Sequence, residues 1–526
     1  MPRGKVEAEA STVVTDSTMV NPGDTLRVAP NNLIQAPDGG PAVVGTMVFD
    51  TDSQCLRVKT GDGEDGWGNK LAGCLVAVSS DSTIVDTEAY EGMPVRAKKV
   101  SAGYDFSLII SGDDGMLYAT GVNSYGRTGM GTASGNTTTF KMSLARGVAD
   151  ISAGYYHGMA VDSLGNVWAW GYVNNGRLGT ATSTNTNFTF PRKITTLPPG
   201  MKGVRVEAGY QNSLVLGNNG KVYAFGANTD GVNGNVVVAG TTPSGNLLSP
   251  TAITFPSGAK GIRDIALSRY SGAAIDSTGK VYVWGNQQYG RLGVGANSSR
   301  VLPVTVLPIP DNAPIKQVAL GDGFGIAFSE DGKRLYGWGN PNGWGQPPSG
   351  SIVYQRTPIE ITNQLPQNAS IALTGVSRAN VFNSATDSIV YVTAGRFRGY
   401  NYCGSIVITT KNVYAAGNAN SAGLLGLGTI SRSGTMTQRY SPQTISNIGT
   451  FSGFYPIYEG GMYENTRFKQ ASMGYGHSLI MAKETKNMAG QTQIGLGYGT
   501  GACTYYQLGS VNPSYSPIYI FTMLKK

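Results

Sequence analysis

The chain has 526 residues, of which only 14% are charged, against about 25% in ordinary soluble proteins. Its net charge is +8, but no basic run exceeds Lys98-Lys99 or Lys525-Lys526, which argues against a nucleic-acid groove with clustered charge. No run of about 18 apolar residues is present to insert in a membrane, and Met1 to Val20 lacks the apolar core of a secretory signal, so synthesis in a cytoplasm is expected.

Composition shifts divide the chain into an attachment segment (1–75), a connector (76–98) and one repeat domain (99–526). The stretch from Asn21 to Pro41 is rich in Pro, Gly and Asn and reads as an extended arm that orders on a partner. Met47-Val48-Phe49 and Leu56-Arg57-Val58 flank a polar turn and lead to Gly66-Trp67, the pattern of a small hairpin with an aromatic anchor. Asp62, Glu64 and Asp65 form an acidic turn. It reads as solvated rather than as a calcium loop, because the EF-hand spacing is absent. Cys55, Cys74, Cys403 and Cys503 fit neither a zinc spacing nor a dense disulfide framework.

From Lys99 onward one pattern recurs. Its second copy shows it best: Ala153-Gly154, His157, Met159-Ala160-Val161, Leu164-Gly165, Val167-Trp168-Ala169-Trp170-Gly171, then Gly176-Arg177-Leu178-Gly179. An apolar strand meets a Gly-bearing turn and an alternating strand follows, which is a β-hairpin signature. The first motif glycine, or its equivalent, falls at 103, 154, 209, 268, 321, 395 and 474. That period fits propeller blades, which bury their faces only against neighbours. Blade four carries Ser268 in place of the glycine, blades six and seven carry long insertions, and blade seven lacks the Trp-Gly pair.

A third element separates the copies, as in Pro191-Arg192-Lys193-Ile194 and Pro303-Val304-Thr305-Val306. Proline is tolerated at a strand start, where no ladder donor is needed. The chain ends on the same element, Pro517-Ile518-Tyr519-Ile520, and no Pro-led copy lies between Gly131 and Asp150. The C-terminal element, Pro517 to Met523, is therefore expected to complete the first blade; Met93-Pro94-Val95 is the rival for that place. The expected fold is all-β: a seven-bladed β-propeller with a short, mostly extended N-terminal β segment.

These copies resemble the repeats named after the regulator of chromosome condensation, and the resemblance covers about four-fifths of the chain. It implies a seven-bladed propeller. Family members include nucleotide exchange factors and β-lactamase inhibitors, but none of their functional residues can be matched to a position here. Gly45-Thr46-Met47-Val48-Phe49-Asp50 with Leu56-Arg57-Val58 and Trp67 also resembles a small module of tailed-bacteriophage appendage proteins.

No nucleophile elbow, phosphate loop or zinc-protease motif is found, so no catalytic residue, cofactor or metal site is assigned. His157 and His477 are the only histidines and share one repeat position, held elsewhere by Phe106, Asn212, Ser271 and Phe324. That register points to blade packing, with a ring nitrogen bonded to a neighbouring blade. Arg127, Arg177 and Arg291 also share a position: they form an anion site on one face, or each bonds carbonyls of its own loop. Tyr440, Tyr455, Tyr458 and Tyr463 lie near the C-terminal insertions and suit recognition by large rings at low entropic cost.

The leading expectation is a non-enzymatic structural protein of a bacteriophage virion. Residues 1–75 would hold other virion proteins, and the propeller loops would face a host surface receptor. The alternative is a cellular regulator or inhibitor of the chromosome-condensation-regulator type that grips a protein partner. A third reading, a depolymerase, lacks an identifiable pair of carboxylates.

Overall fold

Alternating apolar strands joined by tight turns fold into four-stranded antiparallel sheets. In the first, Ala97–Ala102, Phe106–Ser111, Leu117–Val122 and Asn136–Ser143 pair in chain order. The computed structural model describes residues 47–50, 55–58, 96–143, 147–181, 186–228, 230–234, 245–295, 301–344, 353–365, 382–396, 404–417, 455–456, 467–486, 492–501, 507–508 and 518–523. Six further sheets follow, five of them four-stranded and the last five-stranded, with Thr492–Ile494 paired to the extended second strand of blade seven; the seven sheets make an all-β propeller. Met47–Asp50 and Cys55–Val58 form the separate two-stranded hairpin read from the sequence, with Met47 opposite Val58.

The three inner strands of each blade carry the core. Phe106–Ser111, His157–Asp162 and Asn212–Gly217 are buried along their whole length. One core cluster runs across three blades, from Phe106 and Leu108 through Trp168 and Trp170 to Phe225. Burying each such side chain contributes about 1.5–3 kcal/mol, and no blade can cover its own two faces. Gly171 closes the third strand of blade two at φ +104, where a Cβ would collide with the Tyr156 carbonyl. Only glycine tolerates that combination.

The first strand of every blade carries one extra residue opposite the second: Lys98, Ala149, Val204, Arg263, Lys316, Val390 and Lys469. A bulge of this kind sharpens the twist and re-aims its extra side chain. The first strands surround a narrow central cavity of about 70 Å³. They do not pair as a sheet; side chains link them instead. Ser101, Ser152 and Ser472 accept the amides of Ala153, Ala208 and Ala102, each at 2.9 Å. One rung away, Asp150 accepts Val206 N, Gln317 accepts Val392 N and Gln470 accepts Val100 N. Arg396 spans the cavity to Glu207, 2.8 Å away, tying blade six to blade three.

The ring closes differently from the sequence expectation. Ile518–Met523 pairs with Gly497–Gly501 and completes blade seven, not blade one. Blade one takes its fourth strand from Asn136–Ser143, which lacks the leading proline and so escaped the pattern. Blades seven and one therefore meet as whole sheets. Gln470, Ser472 and the Arg96–Leu496 bridge supply the joint, and the first two repeat the bonds used between other blades.

Candidate functional site

The turn after the first strand and the 3-10 turn that follows the third strand in blades one, two, four and five lie at the same end of the blade. The residue that follows the motif glycine sits on the inner rim: Tyr104, Tyr155, Tyr210, Arg269, Asp322, Arg396 and Tyr475. Its position is set by the backbone. Tyr104 N donates to Gly154 O at 3.1 Å, Tyr155 N to Gly209 O at 3.0 Å and Tyr475 N to Gly103 O at 3.2 Å.

The tyrosine rings make a continuous belt. Tyr475 lies 4.2 Å from Tyr104, Tyr104 stacks on Tyr155 at 3.7 Å, and Tyr155 meets Tyr210 edge-on at 4.5 Å. The Arg269 guanidinium covers Tyr210 at 4.3 Å and extends the belt to blade four. Tyr156, Tyr125 and Tyr172 form a second tier, with 4.4 Å between the last two. Tyr125 and Tyr289 hold left-handed backbone, at φ +66 and φ +64. Such a conformation is costly for a bulky residue and is retained where the surroundings demand it.

Arg127, Arg177 and Arg291 lie beneath this face and are buried. Each Nε returns to a carbonyl of its own loop: Ser124 O at 3.1 Å, Asn174 O at 2.9 Å and Gln288 O at 2.9 Å. Arg127 and Arg177 also cross to the next blade, donating to Tyr155 O and Tyr210 O. Their guanidinium planes lie 5.0 Å from Tyr156 and 4.9 Å from Tyr172, while Arg291 lies 4.4 Å from Tyr270. Burial lowers all three pKa values, that of Arg177 to about 10. Burial also pushes the Asp105 carboxyl up to about 6, against the pull of Arg127 and Gln507.

The histidines hold the repeat position that the sequence indicated. His157 Nε2 lies 2.9 Å from Ser213 Oγ of blade three, and His477 Nε2 lies 2.8 Å from Ser107 Oγ of blade one. Burial holds His477 down to about 3 and His157 well below its ordinary value, so both are neutral. Each serine then donates to the preceding blade: Ser213 to Arg177 O at 2.8 Å and Ser107 to Gln507 O at 2.6 Å.

Of the other residues singled out from the sequence, Tyr440, Tyr458 and Tyr463 lie outside the described residues. Tyr455 pairs through its backbone with Ala415. The belt tyrosines were missed, although Gly-Tyr recurs at 103–104, 154–155, 209–210 and 474–475 and signals them. Among the described residues no group of three His, Cys, Asp or Glu is placed to hold a metal, and no helix is long and apolar enough to cross a membrane.

The fold is a seven-bladed propeller, and about a third of the chain matches models of the regulator of chromosome condensation repeat. One model of that repeat matches residues 165–216 and 278–328; a second matches 97–127, 148–177, 204–232 and 262–291. Among curated relatives, the ultraviolet-B receptor UVR8 of Arabidopsis thaliana is 27% identical over 316 residues, 59% of this chain and 68% of the receptor. The E3 ubiquitin-protein ligase HERC2 of Homo sapiens is 34% identical over 199 residues, 37% of this chain but only 4% of the ligase. The structure of Prp20p from Saccharomyces cerevisiae superposes with a TM-score of 0.55 at 20% identity, covering 84% of this chain and 90% of that one. At that identity the likeness establishes the fold alone.

These findings overturn the virion expectation, both as function and as location. The repeat region aligns with a plant receptor and a human ligase, and the yeast protein shares its architecture. The resemblance of the N-terminal segment to bacteriophage appendage modules receives no support, since the family matches begin at residue 97. A closed propeller with a short N-terminal hairpin suits many carriers, so this part of the sequence could not decide between them.

Proposed function

We propose that the protein is a non-catalytic regulator or inhibitor of the chromosome-condensation-regulator type, which grips a protein partner on its tyrosine and arginine face. The observation that carries this reading is the belt from Tyr475 through Tyr104, Tyr155 and Tyr210 to Arg269, half-buried and held by inter-blade hydrogen bonds. Rigid tyrosines offer large contact area at little entropic cost, and Tyr and Arg dominate binding hot spots. Prp20p of Saccharomyces cerevisiae binds Gsp1p and histones, which supports a protein partner for a fold of this kind.

The test pairs a partner captured by a photoreactive group at Tyr125 with variants of the full chain. Y155A/R269E should weaken binding of the purified partner by about tenfold or more, whereas K202E/K221E, at the other end of the blades, should leave it unchanged. Equal losses from both variants would assign binding elsewhere.

A further inference from the structure

The seven first-strand bulges form a crown around the end of the cavity opposite the tyrosine belt, because each lies where the first strand pairs beside the hairpin turn. Four of the seven, Lys98, Arg263, Lys316 and Lys469, are cationic, and none is anionic. Arg263 and Lys316 share the Glu330 carboxylate, each at 2.7 Å. Lys98 and Lys469 are exposed and have no carboxylate within ion-pair distance among the described residues. They meet at the joint between blades one and seven. Lys483, also exposed, is the extra residue of the facing second strand and joins them. Partial burial and the charges of Lys98 and Lys483 hold the Lys469 ammonium below its ordinary pKa. Three like charges thus lie close, with no ion pair to a carboxylate among the described residues, an arrangement that an anionic ligand relieves. Val390, the bulge residue of the adjoining blade six, is 40% exposed and gives the patch an apolar margin.

We propose that Lys98, Lys469, Lys483 and Val390 form a second interaction surface, separate from the tyrosine face, that takes an acidic peptide segment with an apolar residue beside its carboxylates. Lysines are compact point charges that suit carboxylates scattered along an extended chain. The apolar margin favours a peptide over a phosphate backbone, which is recognised along a longer basic stripe. The surface requires no partner on the belt.

The probe is a fluorescein-labelled peptide of alternating Glu and Leu, titrated against the full chain at low and high salt. Binding should weaken with salt, and K98E/K469E/K483E should reduce affinity about tenfold. A control triple reversal, K202E/K221E/K280E, changes net charge equally and should leave affinity within about twofold. V390D should also weaken peptide binding. Because all these positions lie on the surface, melting temperatures should match the parent protein. Equal loss in the control reversal would overturn the proposal. So would a duplex DNA that binds more tightly than the peptide and depends on the same three lysines.

Discussion

His477 and Ser107 join the last blade to the first, with Nε2 2.8 Å from Oγ, and His157 and Ser213 repeat the pairing between blades two and three. Each serine hydroxyl donates its hydrogen bond to a loop carbonyl and accepts from the imidazole, so the neutral ring fills a role in packing.

That pairing sets a pH dependence. His477 titrates near 3 in the folded chain, because burial lowers it from 6.5, and His157 is lowered in the same direction. The unfolded chain therefore binds more protons between those values. Stability should fall as pH drops below 6.5, by about 1.4 kcal/mol per pH unit for each histidine. Asp105 acts in the opposite sense, since burial raises its folded pKa from 3.8 to about 6, and it gains stability as pH falls through that window. Denaturant midpoints from pH 7 to pH 4 should fall more steeply in D105N than in the parent. A flat profile in both would show that the histidines are not held neutral.

A second relationship explains why a blade carries either a glycine–tryptophan pair or a serine at this level. Gly158 faces Trp170, Gly272 faces Trp284 and Gly325 faces Trp338. In each case a Cβ on the glycine would fall inside the indole ring. Those indoles donate to Arg127 O, Val232 O and Arg291 O. Where the small position is serine, as at Ser213 and Ser107, the hydroxyl serves the equivalent carbonyl. W170T alone should cost about 3 kcal/mol or more by leaving a cavity. G158S alone should overpack. The double variant should recover at least about 1 kcal/mol of their sum, measured as a double-mutant cycle, because it recreates the Ser107–Thr120 pair of blade one. Strict additivity would separate the two positions.

Tyr125 should trade stability for binding. Its φ of +66 is unfavourable for tyrosine, and blade two has Asn175 at the equivalent place with φ +62. Asparagine tolerates that region better. Y125N should leave the melting temperature unchanged or raised, while the partner of the tyrosine face binds more weakly. A lower melting temperature with unchanged binding would make the ring a structural element only.

The C-terminal strand should matter locally. Removing residues from Ile518 onward uncovers Gly497–Gly501 but leaves the Gln470 and Ser472 bonds to blade one. Hydrogen exchange should rise in blade seven and remain unchanged in Phe106–Ser111. Faster exchange in blade one would restore the closure expected from the sequence.

The blades were legible because hairpins write themselves as alternation and Gly-bearing turns. The shared histidine position also gave its inter-blade role correctly, since register in a repeat is register in space. The fourth strand of blade one was not legible: Asn136–Ser143 carries neither the proline nor the spacing of its counterparts. The belt escaped for another reason. Tyr104, Tyr155, Tyr210 and Tyr475 are separated by 51 residues or more, and only ring closure brings Tyr475 beside Tyr104.

The most direct test of the tyrosine face is hydrogen exchange of the full chain with and without its purified partner. Slowed exchange is expected at the turns around Tyr104, Tyr155, Tyr210, Arg269 and Tyr475. Protection confined to the outer strands, with those five turns exchanging as in the free protein, would contradict it.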